Sequence, residues 1–112
     1  MITIQSHVEL NETIHKYPIV IAQFGSETCS PCSALKQRIQ LWNAGHPNVH
    51  HIYVPVDDQP KLCAQMGIFT VPSIIVYIEG KVTIRQSGYF SLDQMLDQIE
   101  KYERLLFDDS KK

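Results

Sequence analysis

Apolar residues follow two rhythms along this chain. The runs IVIAQF (Ile19 to Phe24), HHIYVPV (His50 to Val56) and SIIVYI (Ser73 to Ile78) are rich in β-branched and aromatic residues, which predicts strands. The first and third are apolar almost throughout, as expected of central strands covered on both faces. KVTIRQS (Lys81 to Ser87) alternates instead, with Val82 and Ile84 on one side, and it follows Glu79-Gly80, a hairpin signal. A weak strand is expected around Ile2 and Ile4. Pro55 lacks a backbone N–H, so it suits the edge or the end of its strand.

Between these runs the apolar spacing becomes helical. Ser6 followed by Glu9 three residues later reads as a capping box, with Leu10, Ile14 and Tyr17 on one face before Pro18 stops the helix. Cys32, Leu35, Ile39 and Trp42 share a second stripe, which ends near Gly45 and Pro47. Asp58 is placed to cap a short helix with Pro60 in its first turn and Leu62, Cys63 and Met66 on its apolar side. Ser91 opens a last helix striped by Leu92, Met95, Leu96, Ile99, Tyr102 and Leu106. The order β, α, β, α, β, α, β, β, α implies a mixed sheet with helices on both faces and right-handed crossovers where strands run parallel.

The chain's 112 residues are enough for one domain, expected over residues 1–107, with residues 108–112 a frayed charged tail. A net charge of −2 gives no reason to expect nucleic acid or an anionic membrane as partner. No apolar run approaches the length of a bilayer span. The start, MITIQSHVEL, lacks the basic residues and long apolar stretch of a signal peptide, so the cytoplasm is the expected location.

Candidate chemistry centres on FGSETCSPC, Phe24 to Cys32. Three cysteines, Cys29, Cys32 and Cys63, are too few for a disulfide-stapled secreted domain. Cys29 falls where a buried strand gives way to a helix, and the free N–H groups and dipole of a helix start favour an anion. Such a position can bring a thiol pKa down to roughly 3.5–7.5. Cys32 follows one turn later on the same face, close enough to form a disulfide or to attack one held on Cys29. Pro31 at an early helical position loses no needed donor. Two other readings stay open. A zinc site would need four ligands, with Cys63, His50 and His51 the only additions, and nothing spaces them as a second pair. Alternatively, the pair is inert core sulfur.

TCSPC, TVPS at Thr70 to Ser73, the Gly80 hairpin and Gly88 before a capped helix together resemble the thioredoxin family, over nearly the whole chain. The resemblance implies an α/β, thioredoxin-like fold: a central mixed five-stranded sheet, parallel in its N-terminal part with an antiparallel C-terminal hairpin, flanked by four helices. It implies that Cys29 is the nucleophile and Cys32 the resolving thiol of a protein-disulfide oxidoreductase. Pro72 would be cis beside Cys29, with the Val71 backbone and Gly88 receiving an extended substrate segment, and Thr28, Ser30 and Pro31 around the nucleophile. Tyr89 and Phe90 are candidates for an aromatic rim, Phe90 more naturally for the core.

The same resemblance shows departures. Thr28 stands where the family usually has tryptophan, and Ser30-Pro31 replaces Gly-Pro. Gln23 aligns with the family's buried aspartate, and Tyr53 with a nearby lysine. An amide cannot take a proton as a carboxylate can. The expected function is therefore reduction of protein disulfides through Cys29 and Cys32. The alternatives are a binding or redox-sensing module without efficient turnover and a small metal-binding protein. No bound cofactor or metal is needed, since the electrons reside in the dithiol. Protein disulfides are the expected partners, a thioredoxin-reductase-type flavoprotein the expected source of electrons, and a monomer the expected state. Cys63 reads as a small core hydrophobe, Trp42 as packing, and His7, His15, His46, His50 and His51 as scattered surface or strand residues.

Overall fold

In the computed structural model, which describes residues 2–107, nine elements follow one another: β1 (Ile2–Thr3), α1 (His7–Lys16), β2 (Ile19–Gly25), α2 (Ser30–Asn43), β3 (Val49–Pro55), α3 (Pro60–Gln65), β4 (Ser73–Ile78), β5 (Lys81–Ser87) and α4 (Leu92–Phe107). The order and type of every element match the apolar rhythm. The five strands form one sheet in the order β1-β3-β2-β4-β5. β1, β3 and β2 run parallel, whereas β4 is antiparallel to both β2 and β5. The expected tail at residues 108–112 lies outside the described residues.

The fully buried β2 is the axis of the molecule. Its side chains alternate between two cores, as a period of two requires. Val20, Ala22 and Phe24 enter a core shared with Leu10, Ile14, Leu62 and Cys63 from α1 and α3. Ile19 and Ile21 enter the other, shared with Leu35, Ile39, Met95 and Ile99 from α2 and α4. The central strands are thus covered on both faces. Pro55 ends β3 opposite Gly25, where it interrupts no ladder.

Two caps follow the sequence and one does not. Ser6 Oγ accepts the Glu9 N–H at 3.1 Å, and Ser91 Oγ accepts the Gln94 N–H at 3.2 Å. Asp58, expected to cap α3, is instead spent in the preceding turn, its N–H donating to the Pro55 carbonyl at 3.1 Å. Gln59 takes the cap position with no side-chain bond, and Met66 falls just beyond the helix. Glu79 and Gly80 both adopt positive φ, 52° and 80°, which gives the two-residue hairpin its twist. Among the described residues no helix is long and apolar enough to cross a membrane.

Candidate active site

Cys29 is the N-cap of α2 and Cys32 lies in its first turn. The two are joined as a disulfide, with Cα atoms 5.2 Å apart. The Cys32 N–H is shared between the Cys29 carbonyl at 3.1 Å and Cys29 Sγ at 3.2 Å, so a donor of the helix start already faces the sulfur that would carry charge. Cys29 is half-buried between exposed Thr28 and Ser30, with exposed Pro31 following, whereas Cys32 is 1% exposed. Accessibility therefore separates an outer sulfur from an inner one. Cys29 N–H also donates to the Ser26 carbonyl at 3.2 Å, which closes the turn out of β2.

The second half of the site comes from the start of β4. Ser73 pairs with Phe24, which sets the preceding Pro72 beside the end of β2 from which the cysteine loop departs. The Val71–Pro72 peptide is cis, as TVPS led us to expect. The loop is held by Ser73 Oγ donating to the Thr70 carbonyl at 2.7 Å and by Gly88 N–H donating to the Pro72 carbonyl at 3.0 Å. Gly88 is exposed with φ of 67°, a conformation that favours glycine. Among the described residues the Val71 N–H and carbonyl bond to no other backbone group.

Beneath Cys32 sits a buried polar chain. Gln23, fully buried, donates from Nε2 to the Cys32 carbonyl at 2.9 Å. That turns its Oε1 toward His51, whose Nε2–H donates to it at 3.0 Å. His51 Nδ1 is then the unprotonated nitrogen, and it has no partner among the described residues. Burial first, and the Lys36 ammonium in addition, push the His51 pKa down to about 4, so the ring is neutral near pH 7. His51, read from sequence as a surface or strand histidine, is in the strand but buried. Alternation along β3 would have indicated it, because Val49, His51 and Tyr53 face the same side as Gln23.

The metal reading finds no support in the placement of its candidates. His50 stacks on Tyr17 with ring centroids 3.5 Å apart, and Cys63 lies in the core under α3. No group of three or more potential ligands gathers among the described residues. Burial raises the Cys63 thiol pKa, in keeping with its part as core sulfur.

The family model "Thioredoxin" matches residues 2–101. The chain belongs to the thioredoxin family. It is 27% identical over 85 residues to the thioredoxin of Chlamydia trachomatis, covering 76% of this chain and 83% of that one. It is 23% identical over 73 residues to Thioredoxin-2 of Pyricularia oryzae, which is 65% of this chain but 43% of that longer protein. The solved thioredoxin of Plasmodium falciparum superposes with a TM-score of 0.78 at 25% identity, over 91% of this chain and 99% of that one. Family, fold and a joined CxxC pair make this protein a thiol–disulfide oxidoreductase.

Within that family frame, sequence reasoning missed Phe69. It stands 80% exposed at the head of the Thr70–Ser73 loop, on a groove of about 300 Å³ lined also by Val56, Ala64 and Val71. Its signal was present in the sequence as an aromatic next to a turn, a place where solvent exposure needs a reason. Tyr89 is fully exposed just after Gly88, whereas Phe90 packs against the core of α2 and α4.

Proposed function

We propose that this oxidoreductase reduces protein disulfides in the cytoplasm as a monomer, with Cys29 attacking and Cys32 resolving. The observation that carries the assignment is the unequal placement of the two sulfurs. Cys29 is the accessible one and receives a helix-start N–H, while Cys32 is enclosed directly behind it.

In the reduced protein the Cys29 thiolate attacks a substrate disulfide, forming a Cys29–substrate bond and expelling one substrate thiolate. Cys32 then attacks Cys29 Sγ. The Cys29–Cys32 bond forms, the second substrate sulfur leaves with the electron pair, and both substrate thiolates take protons from water. Two electrons pass from the dithiol to the substrate, which requires no bound cofactor. The unpaired Val71 backbone can receive the substrate chain as an added strand, with Pro72 and Gly88 holding its floor and Thr28, Ser30 and Pro31 bordering the nucleophile. Electrons return from a flavoprotein of the thioredoxin-reductase type.

The test is reduction of insulin disulfides by dithiol-regenerated protein, with Cys29→Ser as control. Wild type should turn over and the variant should not; equal rates overturn the assignment. A second reading, a redox-sensing or binding module with slow turnover, is favoured by Gln23. A neutral amide occupies the buried place where a carboxylate would serve as proton acceptor. A competent first attack with a stalled second step would support that reading.

A further inference from the structure

We propose that Tyr53 supplies the hydrogen bond that stabilises the Cys32 thiolate, across a gap left open by Gly25, directly or through one water. The proposal rests on the oxidoreductase reading and concerns its second step.

Gly25 marks the place. A Cβ built on it would stand 2.7 Å from the Tyr53 hydroxyl, 3.0 Å from Cys32 Cβ and 3.1 Å from Cys32 Sγ. The phenol oxygen and the inner sulfur therefore border one methyl-sized space, which exists because this residue has no side chain. The φ of Gly25 is not in the left-handed region, so the room that it leaves is the reason for glycine here. Strand register brings the pieces together: β3 lies beside β2 with Tyr53 opposite Gln23 and Pro55 opposite Gly25.

The two polar side chains directly beneath Cys32 are committed elsewhere. Gln23 is held between the Cys32 carbonyl and His51, and His51 gives its one N–H to Gln23. The Tyr53 hydroxyl has no protein hydrogen-bond partner among the described residues, which leaves its hydrogen free for Cys32. Lys36 from α2 lies 4.6 Å from the centre of the phenol ring. Burial first, then the carboxylates of Glu27 and Asp57, raise the phenol pKa above its usual value, so Tyr53 keeps its hydrogen and has it to donate. On its other side Tyr53 lines a cleft of about 550 Å³ together with Glu27, Lys36, Asp57 and Asp58.

The step balances without a protein base. With substrate disulfide-bonded to Cys29, the Cys32 thiol gives its proton to water. The resulting thiolate accepts the phenol hydrogen bond, which favours the charged form and lowers the thiol pKa. It then attacks Cys29 Sγ and the substrate sulfur departs with the electron pair. Tyr53 keeps its proton throughout. Gln23 thus holds the backbone of Cys32, and Tyr53 serves its sulfur.

Stopped-flow oxidation of the reduced protein by dithiobis(nitrobenzoate), an aromatic disulfide, tests this. Attack by Cys29 releases one coloured thiolate and resolution by Cys32 releases the second, so one trace reads both steps. Tyr53→Phe should leave the first phase within twofold of wild type. It should slow the second phase about tenfold near neutral pH, moving its apparent pKa up by about one unit. The two proteins should converge at high pH, where Cys32 is ionised without help. Gly25→Ala, which fills the gap, should shift the second phase in the same direction. An unchanged pH profile of that phase in Tyr53→Phe overturns the proposal, as does a uniform loss at every pH. A first phase that survives Cys29→Ser would instead overturn the oxidoreductase reading, whatever Tyr53 does.

Discussion

His51 makes the stability of this protein depend on pH in a calculable way. The ring is 3% exposed and its pKa lies at about 4 against an ordinary 6.5. An added proton would go to Nδ1, which has no partner among the described residues. The unfolded chain binds that proton more readily than the folded one. Stability is therefore complete above pH 6.5 and is lost as pH falls toward 4, by about 1.4 kcal/mol per pH unit and roughly 3 kcal/mol in all. The comparison is with His51→Leu, in which Gln23 Oε1 loses its donor at a cost of about 1–3 kcal/mol that is independent of pH. Urea unfolding of both oxidised proteins, repeated from pH 7.5 down to pH 4, isolates the histidine from the carboxylates that titrate in both. Wild type should be the more stable at pH 7, and the two curves should approach each other as the solution becomes acid. Parallel curves across that range would refute the reasoning.

Three further outcomes are expected. Gln23→Asp puts a carboxylate near Cys32 and should speed resolution of the Cys29 mixed disulfide, by about tenfold or more near neutral pH if it accepts the proton; the second phase of the same stopped-flow trace reads this, and no change counts against it. Phe69→Ser should raise KM several-fold for a protein disulfide while leaving the rate with a small aromatic disulfide unaltered, since only the former covers the exposed ring. His46 has the opposite sign to His51: burial works against its charge, but the Trp42 carbonyl at 2.7 Å and the Glu100 and Glu103 carboxylates outweigh this and raise its pKa. Its contribution is therefore present below pH 6.5 and lost as pH rises through the folded value. Because the ring stacks on Trp42 with centroids 3.8 Å apart, the same titration should appear in tryptophan fluorescence and vanish in His46→Gln.

Sequence and structure agree where local rules suffice. The apolar rhythm placed all nine elements, because β2 and β4 are buried on both faces and each helix presents one stripe to a core. Ser6 and Ser91 were readable as caps because a cap is a three-residue affair. Asp58 was misplaced because a turn and a helix start compete for the same residue, and the short turn after Pro55 won. The cysteine pair and the cis Pro72 were readable from TCSPC and TVPS. What lay beneath them was harder to read, because Gln23, His51, Tyr53 and Gly25 become one cluster only when β2 and β3 are aligned in register. Gly25 in particular carries no local signal, as its role is the volume that two other strand and helix residues require.

The polar chain under Cys32 also has a mechanical consequence. Gln23 and His51 fasten the carbonyl of Cys32 to the two innermost parallel strands, so this half of the pair is mounted on the frame of the molecule. Cys29 has no such strut and is carried by the rim loop that begins at Ser26. The rim is therefore where a change is expected when the bond between them opens. A partner that distinguishes the oxidised from the reduced protein is expected to do so by the shape of Ser26 to Ser30, with the helix beyond as its fixed reference.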